Sequence, residues 1–257
     1  MPGNHKPAEG VLHTPGPGGP DTLPPRMPTT VQSRSLVAQS LRLKPIIGVV
    51  RTASAAEASQ QARALAAAGI GLVEITFTVP GAAGLVRQLL REMGDAGGRP
   101  WIGMGTVTNR ARAREALAAG AEFLVSPNVD AAVAAEARGA ETFLVMGALT
   151  PTEIVAAHEA GADLVKVYPL PPVGGPAYLS VVRQPLGDIP MLAAGGFGID
   201  EIPAYRQAGA SAFGIGFPLL AGAASADTAE APALHKRLAR ALRLAAGEPA
   251  EPIEDRP

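Results

Sequence analysis

The 257-residue sequence contains no cysteine. That excludes a disulfide framework, a thiol nucleophile and any cysteine-based metal site, and it fits a cytoplasmic protein. Histidine is scarce: His5, His13 and His235 lie in terminal segments, and His158 sits between Ala157 and Glu159 in an alanine-rich stretch that reads as a solvated helix face. No Ser-His-Asp arrangement and no histidine spacing suited to a metal follows from these positions. Charge of one sign is also missing, with 22 basic against 23 acidic residues and a net charge of −1. This balance argues against nucleic acid or an anionic membrane as partner. The longest uncharged run, Gln207 to Ala226, is broken by Gly209, Gly214, Gly216 and Pro218, so it reads as strand, loop and helix start, not as a membrane span. Lysine is the last scarcity. Lys6, Lys44 and Lys236 lie near the ends, which leaves Lys166 alone between Pro45 and His235.

What is present is ample apolar material, 47% of the chain, enough for one large α/β domain or two small ones. Residues 1–30 hold eight prolines and five glycines with few large apolar residues, and are expected to be a disordered extension. Residues 247–257 read as a disordered acidic tail, and 31–246 as the folded domain. Val31 to Leu43 has helical spacing and could cover the bottom of a barrel; Pro232 to Ala246 reads as a basic helix.

Between these ends a helix-then-strand phrase recurs. Alanine-rich stretches end in a small residue or arginine plus glycine, and a short apolar run follows: Gly69 into Ile70–Phe77, Gly120 into Glu122–Ser126, Gly139 into Glu141–Val145, Gly161 into Asp163–Tyr168, and Gly209 into Ser211–Gly216. Pro45–Val50, Trp101–Gly105 and Pro190–Ala194 bring the number to eight. Eight βα units in about 200 residues suit a (β/α)8 TIM barrel better than an open doubly wound sheet.

The run Asp163–Tyr168 is apolar and β-branched, yet it carries Lys166. A buried ammonium is costly unless paired or deprotonated, so a lone strand lysine is a Schiff-base candidate; a lysine that snorkels to solvent is the alternative. Register bears on the choice. The fifth residue after the capping glycine in the second, fourth, sixth and eighth units is Glu74, Val125, Lys166 and Gly214, and side chains from alternate strands share a barrel layer. Glu74 and Lys166 should then face one another across the barrel, late in their strands, where barrel active sites are built. A structural ion pair would give the same pattern. Glu122, Glu141 and Asp163 fall at strand starts, where a structural role at the bottom face is expected.

The ordered set Ile47-Gly48-Val49-Val50-Arg51, Val73-Glu74-Ile75-Thr76, Gly103-Met104-Gly105-Thr106-Val107, Ser126-Pro127-Asn128, Gly147 to Glu153, Val165-Lys166-Val167-Tyr168-Pro169 and Ala194-Gly195-Gly196 resembles the 2-keto-3-deoxy-6-phosphogluconate (KDPG) and 2-keto-3-deoxy-6-phosphogalactonate (KDPGal) aldolases, a group that includes 4-hydroxy-2-oxoglutarate aldolases. The resemblance spans roughly Val31 to Leu220. It implies a homotrimeric class I aldolase, with Lys166 as the Schiff-base lysine and Glu74 as the proton-shuttling acid, acting on a small-molecule keto acid with no cofactor and no metal. The products would be pyruvate and an aldehyde, either glyceraldehyde 3-phosphate or glyoxylate. Arg51 and the turn at Thr106 become candidate contacts for the substrate carboxylate. Pro127 and Tyr168 match pocket walls, and Gly195 and Gly196 lie where many barrels offer backbone N–H groups to a phosphate.

Three departures stand out. Thr78 occupies a position that is arginine in KDPG aldolases, Met146 stands in place of a proline before Gly147, and Phe217 stands where a serine usually helps to bind the substrate phosphate. Phenylalanine offers no hydrogen bond and is expected to shrink an anion site, so an unphosphorylated substrate remains open. A phosphate-binding-barrel isomerase or synthase, and a non-catalytic barrel that binds a small acid, are the competing readings. Arg110, Arg112 and Arg114 form a short basic run at a helix start and read as a solvated face.

Overall fold

The computed structural model describes residues 30–94, 98–222 and 231–248. The expected extension and acidic tail lie outside the described residues, apart from Thr30, Gly247 and Glu248. Eight parallel strands, β1 (Ile46–Val50), β2 (Leu72–Thr76), β3 (Trp101–Gly105), β4 (Phe123–Ser126), β5 (Phe143–Ala148), β6 (Leu164–Val167), β7 (Met191–Ala194) and β8 (Ala212–Gly216), close into a barrel in sequential order. The helices are α1 (Thr30–Leu43), α2 (Ala55–Ala67), α3 (Ala82–Met93), α4 (Arg110–Ala118), α5 (Ala131–Gly139), α6 (Pro151–Glu159), α7 (Gly175–Arg183), α8 (Ile202–Gln207), α9 (Phe217–Ala221) and α10 (Ala231–Ala246). The fold is the expected (β/α)8 barrel. None of the described helices is long and apolar enough to cross a membrane.

Local chemistry explains why the phrase repeats. The loops after β1, β3, β4 and β5 end in Ser54, Asn109, Asp130 and Thr150, whose side chains accept a backbone N–H from the first turn of the next helix. Such caps satisfy donors that the helix itself leaves open. At the other ends Gly69, Gly120, Gly161 and Gly209 are left-handed, as expected of helix-terminating glycines.

The fifth unit departs from the expected pattern. Helix α5 runs through Gly139, and the left-handed residue is Glu141, at φ 51. Its N–H reaches the carbonyl of Arg138 and the N–H of Thr142 reaches that of Ala137, the same closing pair found elsewhere but two residues later. Strand β5 therefore begins at Phe143 and runs to Ala148, beyond the expected Val145.

Two apolar layers result. One fills the space between strands and outer helices; the other lies inside the barrel, where Ile47, Leu72, Phe123, Phe143, Leu164 and Leu192 meet Val37 and Leu41 of α1. Helix α1 thus plugs the bottom with its buried stripe, as its spacing suggested. Two acids tie this end together. Asp163 pairs with Arg34 at 2.8 Å and accepts the Leu144 N–H; Glu122 takes both arms of Arg99 at 2.8 and 2.7 Å and accepts the Ile102 N–H.

Candidate active site

The strand ladders fix which side chains share a level. Glu74 pairs with Gly103, Leu124 with Met104, Val165 with Met146, Lys166 with Leu192 and Phe213 with Ala193. Rising one residue at each successive strand, as the tilt of a barrel demands, leads from Glu74 to Val125, Lys166 and Gly214. These four form one inward layer, with Glu74 and Lys166 on opposite strands. The next inward positions on the intervening strands are Val49, Gly105, Gly147 and Ala194, so the level above is nearly stripped of side chains. Large residues below and small ones above make a cup that opens at the C-terminal end of the strands.

Glu74 is 2% exposed. Gly105 is what gives it room, because any side chain there would overlap the Glu74 carboxylate. Burial raises the pKa of Glu74 above the ordinary carboxylate value, and the positive charges of Lys166 and then Arg51 pull part of the way back. Burial and the two cations thus act on the buried acid in opposite directions, and burial is the larger effect. Lys166 is half-buried on the open side of the cup, and its Nζ lies 5.2 Å from the ring centroid of Tyr168. Among the described residues no hydrogen bond or ion pair joins Glu74 to Lys166, so the carboxylate and the ammonium face the cup without closing it.

The remaining expected positions surround this pair unevenly. Arg51 follows β1 directly and is exposed, yet close enough for its charge to act on Glu74. Thr106 follows Gly105 and adopts φ 60, a left-handed conformation that β-branched residues rarely take. The backbone of Pro127 packs against Gly147, which is paired with Lys166 across the β5–β6 ladder. Tyr168 is 41% exposed beside the lysine. Gly195, at φ 129, lets the chain after β7 press against Pro169 and Leu170 of the loop beyond Tyr168; Gly196, at φ 99, faces open space. Free room is therefore found at Gly196 and not at Gly195.

Phe217 behaves differently from expectation. Its ring is 4% exposed and belongs to the outer core, so it does not narrow the cup. What the substitution removes is a hydroxyl, not volume.

One arginine escaped the sequence reading. Arg110 and Arg114 do lie on the outer face, where they pair with Glu136 at 3.3 and 2.9 Å. Arg112 instead is half-buried, donates to the carbonyl of Thr106 at 3.0 Å and to the hydroxyl of Thr108 at 3.1 Å, and lies over the Phe77 ring at 5.3 Å. The available signal was its position. It is the third residue of a helix that follows a strand, and helical side chains lean towards the N-terminus, here the open face of the barrel.

Comparison with known proteins supplies the context. Residues 37–231 match the family described as KDPG and KHG aldolase. The chain is 31% identical over 169 residues to a 2-dehydro-3-deoxy-phosphogluconate aldolase of Treponema pallidum, an alignment covering 66% of this chain and 79% of the relative. It is 32% identical over 177 residues to a probable 2-dehydro-3-deoxy-6-phosphogalactonate aldolase of Rhizobium meliloti, covering 68% and 82%. The solved 2-keto-3-deoxy-6-phosphogluconate aldolase of Zymomonas mobilis with 3-phosphoglycerate superposes with a TM-score of 0.68 at 25% identity, covering 80% of this chain and 95% of that one.

Proposed function

The chain belongs to the KDPG and KHG aldolase family and is a lyase, and on that premise we propose that it is a Schiff-base aldolase that cleaves a 4-hydroxy-2-keto acid to pyruvate and an aldehyde. The observation that carries this reading is the shared layer of Glu74 and Lys166 beneath a level of glycine, alanine and valine. In this reading the neutral Lys166 amine adds to the C2 carbonyl, and loss of water from the carbinolamine leaves an iminium. The C4 hydroxyl gives up its proton, the C3–C4 bond breaks with its electrons moving into the iminium, and the aldehyde departs. Protonation of the resulting enamine at C3 and hydrolysis release pyruvate and restore the lysine. Because the iminium is the electron sink, this chemistry calls for no metal or other cofactor.

Glu74 moves the protons. Its raised pKa favours an acid that can protonate the leaving hydroxyl of the carbinolamine, and the cations nearby favour its conjugate base for the aldol step. Arg51 and the turn at Thr106 hold the keto-acid carboxylate, Pro127 and Tyr168 wall the cup, and Gly195 and Gly196 receive the far end of the substrate. With no hydroxyl from position 217, that far end is held by backbone N–H groups alone. The substrate class comprises 2-keto-3-deoxy sugar acids, with or without a 6-phosphate, and 4-hydroxy-2-oxoglutarate. The protein works as a cytoplasmic homotrimer.

Pyruvate with borohydride should attach a reduced adduct to Lys166, found by peptide mass, and Lys166→Met should abolish it. Folded wild-type protein that acquires no adduct would sink the proposal. A turnover screen of phosphorylated against unphosphorylated acids then assigns the substrate, and light scattering the trimer.

A further inference from the structure

The turn after β3 carries backbone strain that the aldolase chemistry alone does not account for. Thr106 sits at φ 60, disfavoured for a β-branched residue, and such a conformation persists only where its surroundings hold it. The restraints on either side are ordinary backbone bonds: the N–H of Phe77 donates to the Gly105 carbonyl at 2.9 Å, and that of Val107 to the Val125 carbonyl at 3.1 Å. They fix the residues before and after Thr106 but leave its own carbonyl to a side chain. That side chain is Arg112, which reaches back from α4 to the Thr106 carbonyl and the Thr108 hydroxyl while its guanidinium covers Phe77. Helix α4 is itself pinned, because Asn109 accepts the backbone N–H of Arg112 at 2.9 Å. One planar group therefore links Phe77, just past β2, the turn after β3 and the start of α4, one residue on from the Gly105 against which the Glu74 carboxylate packs.

We propose that Arg112 is a positioning residue that holds Thr106 in its left-handed conformation and so presents this turn to the keto-acid carboxylate. The inference rests on the reading in which the Thr106 turn receives that carboxylate. Arg112 acts through the turn and touches no reacting atom.

The test is a double-mutant cycle read in two ways. Glycine adopts φ 60 without strain, so Thr106→Gly removes the need for the brace. Arg112→Gln should raise the pyruvate concentration for half-maximal borohydride labelling of Lys166 about tenfold, with complete labelling still reached at saturation. Arg112→Lys, which keeps a donor but loses the plane over Phe77, should fall between. In the Thr106→Gly background Arg112→Gln should shift the midpoint less than about twofold. An unchanged midpoint in Arg112→Gln, or the same fold-change in both backgrounds, overturns the proposal. Melting temperatures of the same four proteins report the brace without any ligand, and strictly additive changes would overturn it even if wild type were never labelled. Absence of labelling in wild type, by contrast, strikes the aldolase reading itself. Should Arg112→Gln fail to fold, the same comparison with Arg112→Lys decides the question.

Discussion

Replacing Glu74 by glutamine should abolish turnover and at the same time stabilise the protein at neutral to alkaline pH. The carboxylate is 2% exposed and its pKa is raised chiefly by burial, which means that the ionised form is worse solvated in the folded chain than in the unfolded one. A carboxylate ionises in the unfolded chain near the usual value of 4.5, whereas the folded state keeps its proton to higher pH. The unfolded state therefore binds fewer protons across that window, and wild-type stability falls as pH rises from 4.5 through the folded pKa. Above it the penalty persists undiminished. Burying an ion costs several kcal/mol, of which the charges of Lys166 and Arg51 return part, while a buried neutral amide lacking partners costs about 1–3 kcal/mol. The net gain for Glu74→Gln is then about 1–2 kcal/mol at pH 8, or about 2–8 °C in melting temperature for a domain of this size. Below pH 4, where the carboxyl is protonated in both states, the gain should vanish. Melting curves of both proteins from pH 3.5 to 8.5, with borohydride labelling as the functional readout, test this directly. A variant less stable than wild type at pH 8, or one equally stabilised at every pH, would refute the electrostatic argument.

Two further outcomes follow from single contacts. Gly105→Ala puts a methyl group where the Glu74 carboxylate lies, and a displacement of about 1 Å at a proton-transferring group lowers kcat on the order of 100-fold, so steady-state assay of this variant should show at least that loss with the fold retained. At the opposite end of the barrel, Glu122→Ala strips the fork of Arg99 and the Ile102 N–H of their acceptor; chemical denaturation should reveal a loss of about 2–3 kcal/mol, with KM unchanged.

Much of the barrel could be read from the chain because its signals are local. Alanine-rich helices closed by Gly69, Gly120, Gly161 and Gly209 each carry their own stop, and the fixed count from these glycines gives the layer that unites Glu74 and Lys166. Two local signals compete at the end of α5. Gly139 looked like a stop, but the hydrogen bonds that close α5 form around Glu141 instead, and β5 shifts with them. At the start of α4 the direction of a side chain depends on how the helix begins. The alternating arginines at 110, 112 and 114 look alike in sequence; the Asn109 cap sets the rotation that sends two of them to Glu136 and the third to Thr106. At Phe217, which opens α9, whether the ring fills the cup or the outer core is likewise settled by packing between strands and outer helices.

The sequence by itself determined the eightfold βα repeat, the barrel register, the lone strand lysine and the acid across from it, because helix caps and strand alternation act over a few residues. Only the tertiary structure decided that Glu74 is buried against Gly105 with its proton held high, that Thr106 is bent into a left-handed turn, and that Arg112 braces it. Those properties come from strands and helices that meet in space, where exclusion of water and close approach, rather than order along the chain, set the energies.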